Sequence, residues 1–167
     1  QKSKDSSEKF STANPTVTVL GDFSVDETRQ LLDICSPVLA QNGHSAIFKA
    51  HPTSPLNKSE IAKYGITEFV GDLGALLTSS RLVITTSFTS AAVDAYCLGI
   101  PLLLFSNGKD LNMSPLRDEP GVQFFHDSIS LQALLEQTTG LETSSSRDFF
   151  NLDLNLRRWR QSLRQFV

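Results

Sequence analysis

Lys49-Ala50-His51-Pro52 sets an ammonium and an imidazole two residues apart, directly before a proline. A cation and a ring N–H donor that close together suit a phosphate, although a loop histidine is as readily held by hydrogen bonds of its own. Further along, Thr86-Ser87-Phe88-Thr89-Ser90 supplies four hydroxyls in five residues and opens into an apolar segment of helical character. The first N–H groups of a helix have no intrahelical acceptor and lie at the positive end of its dipole, so short hydroxyls beside them complete an anion site. Helix capping by Thr89 or Ser87 is the plainer reading, and it employs one hydroxyl of the four. Within that helix stands Asp94, the one charged residue among Ala91, Ala92, Val93, Ala95, Tyr96, Cys97 and Leu98. A carboxylate there can accept both hydroxyl hydrogens of a ribose, or it is an exposed acid favoured by the dipole. Gly21, Asp22 and Ser24 form a tight loop that is a third candidate. Neither it nor Gly71-Asp72-Leu73-Gly74 has the GxGxxG or GxxxxGK[ST] spacing of the common phosphate loops. His44, His51 and His126 are dispersed, with no HExxH or CxxC, so no metal site is expected. Ser87 lies in no GxSxG elbow, which argues against a hydrolase triad.

The hydrophobic pattern determines which of these residues meet. From Thr16 onward, short β-branched or leucine-rich runs alternate with amphipathic stretches of helical period. Strands are predicted over Thr16–Leu20, Ser45–Ala50, Thr67–Val70, Arg81–Thr85, Pro101–Phe105 and Val122–Phe125. Helices are predicted over Val25–Gln41, Ser59–Tyr64, Leu73–Ser80, Thr89–Leu98, Ser130–Gln137 and Asn151–Val167. Asn42-Gly43 ends the first helix and Gly65 the second, Pro37 predicts a kink or break, and Ser128 or Ser130 caps the fifth. The last helix places Leu152, Leu156, Trp159, Leu163 and Phe166 near i, i+3/i+4 spacing, with Arg157, Arg158, Arg160 and Arg164 as a solvated cationic face. This alternation predicts an α/β fold: a Rossmann-like, doubly wound, mostly parallel sheet of about six strands with helices on both faces. Ligands of such sheets lie outside the carboxyl ends of the strands. The loops to inspect are therefore Gly21–Ser24, Lys49–Pro52, Val70–Asp72, Thr86–Ser90 and Ser106–Lys109.

The chain has 167 residues, 40% apolar, with 15 Lys+Arg against 18 Asp+Glu and a net charge of −3. A chain of about 150 residues buries roughly 70% of its unfolded surface, so one domain over residues 16–167 needs no disulfide or structural metal. The mild acidity excludes a protein that holds nucleic acid or anionic membrane mainly by charge. Cys35 and Cys97 both fall in apolar periodic segments and read as free thiols of a reducing, cytoplasmic protein, at most peripheral to a membrane. Gln1–Pro15 reads as a polar linker, and no apolar run reaches the ~20 residues of a transmembrane segment.

The order of motifs carries a resemblance. KxHP at Lys49–Pro52, a short helix, a strand ending in the Thr86–Ser90 cluster, a helix with Asp94, and then Gly99-Ile100-Pro101-Leu102-Leu103-Leu104 resembles the C-terminal nucleotide-sugar-binding half of GT-B glycosyltransferases. It is most similar to the bacterial surface-polysaccharide group with an HP motif: sialyl- and polysialyltransferases, Kdo transferases and CDP-glycerol glycerophosphotransferases. The resemblance runs from about Phe48 to Phe105. It implies the donor domain of a transferase for lipopolysaccharide or capsule, taking a CMP-linked sugar such as CMP-Kdo or CMP-sialic acid as substrate and needing no cofactor. His51, Ser87, Thr89 and Ser90 would hold the donor phosphate, with Lys49 added for its charge. Asp94 would lie on the ribose, and Glu68, Phe69 and Val70 would meet the base, largely through backbone groups. Implied partners are an N-terminal GT-B domain of the same protein and a glycan or glycolipid acceptor. The wider fold more often has glutamate where Asp94 stands, and the general base of such enzymes belongs to the other half, so no catalytic base is nominated in this chain.

Two other readings stay open. A nucleotide-sugar 2-epimerase half shares the fold, but it would need an arginine and acids after the fifth strand and a Gly-Gly-Gln-like helix start. Phe105-Ser106-Asn107-Gly108 and Ser87-Phe88-Thr89-Ser90 supply neither. A non-catalytic Rossmann-type module would bind no nucleotide at all.

Overall fold

Six short runs rich in Val, Ile, Leu and Phe pair into one sheet. The computed structural model describes residues 16–109, 111–137, 149 and 155–164. In chain order the elements are β1 (Thr16–Leu20), α1 (Val25–Gln41), β2 (Ala46–Lys49), α2 (Lys58–Lys63), β3 (Thr67–Glu68), α3 (Leu73–Thr78), β4 (Ser80–Thr86), α4 (Ser90–Cys97), β5 (Leu102–Phe105), β6 (Val122–Phe125), α5 (Ser128–Gln137) and α6 (Arg157–Leu163). The strand order is β3-β2-β1-β4-β5-β6, and every neighbouring pair is parallel. The order reverses between β1 and β4, which makes that gap the switch point.

Both faces of the sheet are covered, which explains why β4 and β5 are apolar without alternation. On one face Val17, Val19, Phe48, Ile84, Leu103 and Phe105 pack with Leu31, Leu32, Cys35 and Leu39 of α1 and Leu131 of α5. On the other, Ile47, Val83, Leu102 and Leu104 pack with Leu76 and Leu77 of α3 and Ala92 and Ala95 of α4. Because α1 and α4 run back antiparallel to the strands, their N-termini both lie at the carboxyl edge. Cys35 and Cys97 are free thiols, and complete burial pushes the Cys35 thiol well above the ordinary range. Among the described residues no helix is long and apolar enough to cross a membrane.

Several boundaries differ from expectation for identifiable reasons. Pro37 does not break α1, which continues to Gln41; Ser36 meanwhile donates its hydroxyl to the Leu32 carbonyl at 2.6 Å. Gly43 and Gly65, at φ 67° and 64°, follow α1 and α2 in the left-handed conformation that glycine tolerates. β3 stops at Glu68 rather than Val70, and α3 ends at Thr78, releasing Ser80 to β4, where its hydroxyl meets Thr18 at 2.6 Å. α6 begins at Arg157, with Leu156 and Leu163 exposed; Leu152, Phe166 and residues 1–15 lie outside the described residues.

The cap of α5 is Asp127, not Ser128 or Ser130: its Oδ1 accepts the Ser130 N–H at 2.8 Å and the Ser130 hydroxyl at 2.6 Å. These bonds hold the Asp127 carboxyl below its usual range. A carboxyl depressed in the folded state stabilises above its unfolded pKa and ceases to do so as pH falls through the folded one. Asp127→Asn is therefore expected to lower the neutral plateau of Tm slightly and to flatten its acid limb below about pH 4.

Candidate functional site

Register brings the β1–α1 and β4–α4 loops side by side. Val19 pairs with Ile84, and the two chains leave the sheet together as Gly21–Ser24 and Ser87–Thr89. Asp22, 1% exposed, binds them to each other. Its Oδ2 accepts the Thr86 hydroxyl, its Oδ1 accepts the Ser24 N–H at 2.8 Å, and its own N–H donates to Thr28 Oγ1 at 2.9 Å. Ser24 then caps α1 through the Glu27 N–H. Asp22 is thus part of the frame of the crevice, with both carboxylate oxygens occupied.

The hydroxyl cluster divides its labour. Thr86 serves Asp22, and Thr89 caps α4 by accepting the Ala91 N–H at 3.3 Å. Ser87, 2% exposed, and Ser90, exposed as the first residue of α4, have no side-chain hydrogen bond to any described residue. The N–H groups of Phe88, Thr89 and Ser90 likewise have no acceptor among the described residues. Three consecutive unpaired donors at the positive end of a helix, with two spare hydroxyls, are a ready acceptor of negative charge. Asp94 follows Ser90 by four residues, which puts both on the same side of α4, and it is exposed.

The β2–α2 loop closes against this crevice from the other side of β1. The Gly21 N–H donates to the Lys49 carbonyl at 2.9 Å, and a Cβ on Gly21 would come within 3.2 Å of the His51 backbone nitrogen. This close approach favours glycine at 21. Ser54, buried, donates its hydroxyl to the Phe23 carbonyl. His51 is half-buried at this junction. Lys49 points elsewhere: its ammonium donates to the Gly71 carbonyl at 2.6 Å and lies 5.6 Å from the centre of the Phe69 ring. Lys49 therefore sits with Phe69 and Gly71 beyond β3, where Glu68 is half-buried and Val70 is 87% exposed.

Two residues at the same edge have partners that the sequence did not show. Asn107, after β5, donates to Glu27 on the first turn of α1 at 3.0 Å. His126, at the end of β6, lies with Nδ1 2.7 Å from the Ser106 carbonyl oxygen. Their signal was positional only, since both follow the carboxyl end of a strand. A cavity of about 470 Å3 between α1 and α2, lined by Asp33, Ser36, Pro37, Ala40, Lys63 and Tyr64, lies toward the opposite edge of the sheet. Among the described residues no three His, Cys, Asp or Glu side chains gather as metal ligands. At the carboxyl edge the start of α4 presents N–H and hydroxyl donors of the kind that suit an anion.

Solved structures with this fold include the sucrose-phosphate synthase of Thermosynechococcus elongatus, at TM-score 0.61 and 12% identity, with 94% of this chain and 46% of that one covered. The UDP-GlcNAc 2-epimerase of Methanocaldococcus jannaschii, in complex with UDP-GlcNAc and UDP, matches at TM-score 0.58 and 13% identity over 90% of this chain and 45% of its own. The catalytic domain of the cholesterol-alpha-glucosyltransferase of Helicobacter pylori matches at TM-score 0.52 and 16% identity, over 92% and 95%. No family model matches the chain, and no curated protein does. The chain spans less than half the length of the synthase and the epimerase. At such identities the likeness establishes the Rossmann-like α/β fold seen in glycosyltransferase domains.

Proposed function

We propose that this chain is the nucleotide-sugar-binding domain of a glycosyltransferase that builds a bacterial surface polysaccharide, with a CMP-linked sugar as donor. The observation that carries the reading is the row of unpaired N–H groups at Phe88, Thr89 and Ser90, with the Ser87 and Ser90 hydroxyls, at the switch point of a parallel sheet. A phosphate seated there would have its charge met by fixed dipoles as the bond from sugar to phosphate breaks, which is an electrostatic and positional contribution to rate. His51 would donate from the β2 side, Asp94 would accept from the ribose, and the Glu68–Asp72 loop would flank the base. The cytidine preference rests on the resemblance of the KxHP and Ser/Thr motifs. The glycosyltransferases among the similar folds support the transferase class.

Three exposed large apolar side chains stand on the loops that follow the carboxyl ends of β1, β3 and β4: Phe23, Val70 and Phe88. Such an apolar rim around a polar crevice supports a second domain of the same protein as its cover, with the acceptor glycan or glycolipid between the two. The general base would come from that second domain.

Calorimetric titration of the chain with CMP, CDP, UDP and GDP tests the reading. Cytidine nucleotides are expected to bind best. A preference for UDP would favour the epimerase class, and no heat with any of the four would leave a non-catalytic module.

A further inference from the structure

We propose that His51 is held by Thr53 in the neutral tautomer protonated at Nε2, so that it meets a phosphate oxygen as a hydrogen-bond donor. The inference deepens the nucleotide-binding reading and rests on it for the identity of the ligand. The tautomer itself stands on geometry alone.

The Thr53 backbone N–H lies 3.3 Å from His51 Nδ1, and an amide N–H can only donate. The Thr53 hydroxyl lies 2.8 Å from the same nitrogen. An Nδ1 that accepts carries no proton, so in the neutral ring the N–H is on Nε2. The backbone that carries the ring is also fixed. The His51 carbonyl accepts the Ser54 N–H at 3.0 Å, Ser54 is bound through its hydroxyl to Phe23, and Gly21 lies against the His51 nitrogen. Nε2 has no hydrogen-bond partner among the described residues. The outcome is a single ring N–H left for a ligand, on a loop whose backbone lies against Gly21 at the end of β1.

His126 shows that this is a local arrangement and not a property of the edge. Its Nδ1 faces a carbonyl oxygen, that of Ser106, which can only accept, so Nδ1 carries the proton and Nε2 the lone pair. The two imidazoles therefore hold opposite tautomers. Only His51 can donate through its outer nitrogen while neutral.

Long-range 15N–1H NMR correlations on the free chain at about pH 8, above the ordinary histidine range, read both rings directly. The expected spectrum has His51 protonated at Nε2 and His126 at Nδ1. A His51 ring protonated mainly at Nδ1 would overturn the proposal whether or not a nucleotide binds. In the presence of CMP, the two amide replacements separate the nitrogens, because glutamine places its NH2 near the position of Nε2 and asparagine near that of Nδ1. His51→Gln is expected to keep CMP affinity within about tenfold of the native chain, and His51→Asn to lose more than that. Asparagine binding as well as or better than glutamine would refute the donor role. Native chain that binds no CMP would refute the cytidine-donor reading and leave the tautomer to the spectrum.

Discussion

Replacing Ser90 by aspartate is expected to weaken nucleotide binding by on the order of 100-fold while leaving the fold as stable as before or slightly more so. The two effects have opposite signs because the same dipole causes both. A carboxylate on the first residue of α4 meets the positive end of the helix, worth about 0.3–1 kcal/mol to stability at an exposed position. The same carboxylate occupies the place of the phosphate and repels it. Two unit charges about 4 Å apart interact by roughly 4 kcal/mol at an effective dielectric near 20, so a 100-fold loss, about 2.7 kcal/mol, lies within what repulsion supplies. Equilibrium binding and thermal melting of Ser90→Asp together check this. A variant that melts higher yet binds undiminished would mean that the α4 N-terminus serves the fold and nothing else. Ser90→Ala, which removes one hydroxyl and keeps the N–H groups, is expected to cost only a fewfold.

Asp22→Ala is expected to destabilise the chain by about 3 kcal/mol, which for a domain of this size lowers Tm by roughly 10 °C. The carboxylate is 1% exposed and satisfies two donors that lie on different elements. Truncation leaves the buried Thr86 hydroxyl and the half-buried Ser24 N–H with nothing to bond, and it opens a gap between β1 and β4. Asp22→Asn keeps one acceptor oxygen for Ser24 and an amide that can donate to the Thr86 oxygen, so most of the loss is expected to be recovered. Differential scanning calorimetry of the pair distinguishes hydrogen bonding from charge. Equal damage in both variants would mean that the negative charge itself, rather than its acceptors, holds the two loops together.

Much of the scaffold was legible in the residues. β1 and β6 have the predicted boundaries, because continuous β-branched or aromatic runs flanked by turn residues leave little choice of register. Short edge elements were less legible. β3 retains only two paired residues, and although the Phe69 N–H still reaches the Phe48 carbonyl at 2.7 Å, the chain then turns to let Asp72 cap α3. Asp127-Ser128-Ile129-Ser130 contains three residues that can cap a helix, and only the backbone geometry selects the first.

The candidate site divides in the same way. The hydroxyl run announced the start of a helix at the carboxyl edge, and its local pattern was enough to locate it. Which hydroxyls were spare was not legible, since Thr86 is taken by a partner that is 64 residues away in the chain. Lys49 shows the limit of reading charge from spacing: β2 brings its backbone to the ligand edge, but its side chain leaves on the face toward β3 and Gly71. Asn107 reaches Glu27 across 80 residues, a pairing that no local pattern encodes.

Amide chemical-shift mapping of the chain during a CMP titration tests the central claim most directly, because it reports where a nucleotide sits as well as whether it binds. The account predicts the largest shifts at Phe88, Thr89 and Ser90, with Gly21 and His51 responding on the facing side of the crevice. Shifts centred on the cavity of Asp33, Lys63 and Tyr64, or no shifts at all, would contradict it.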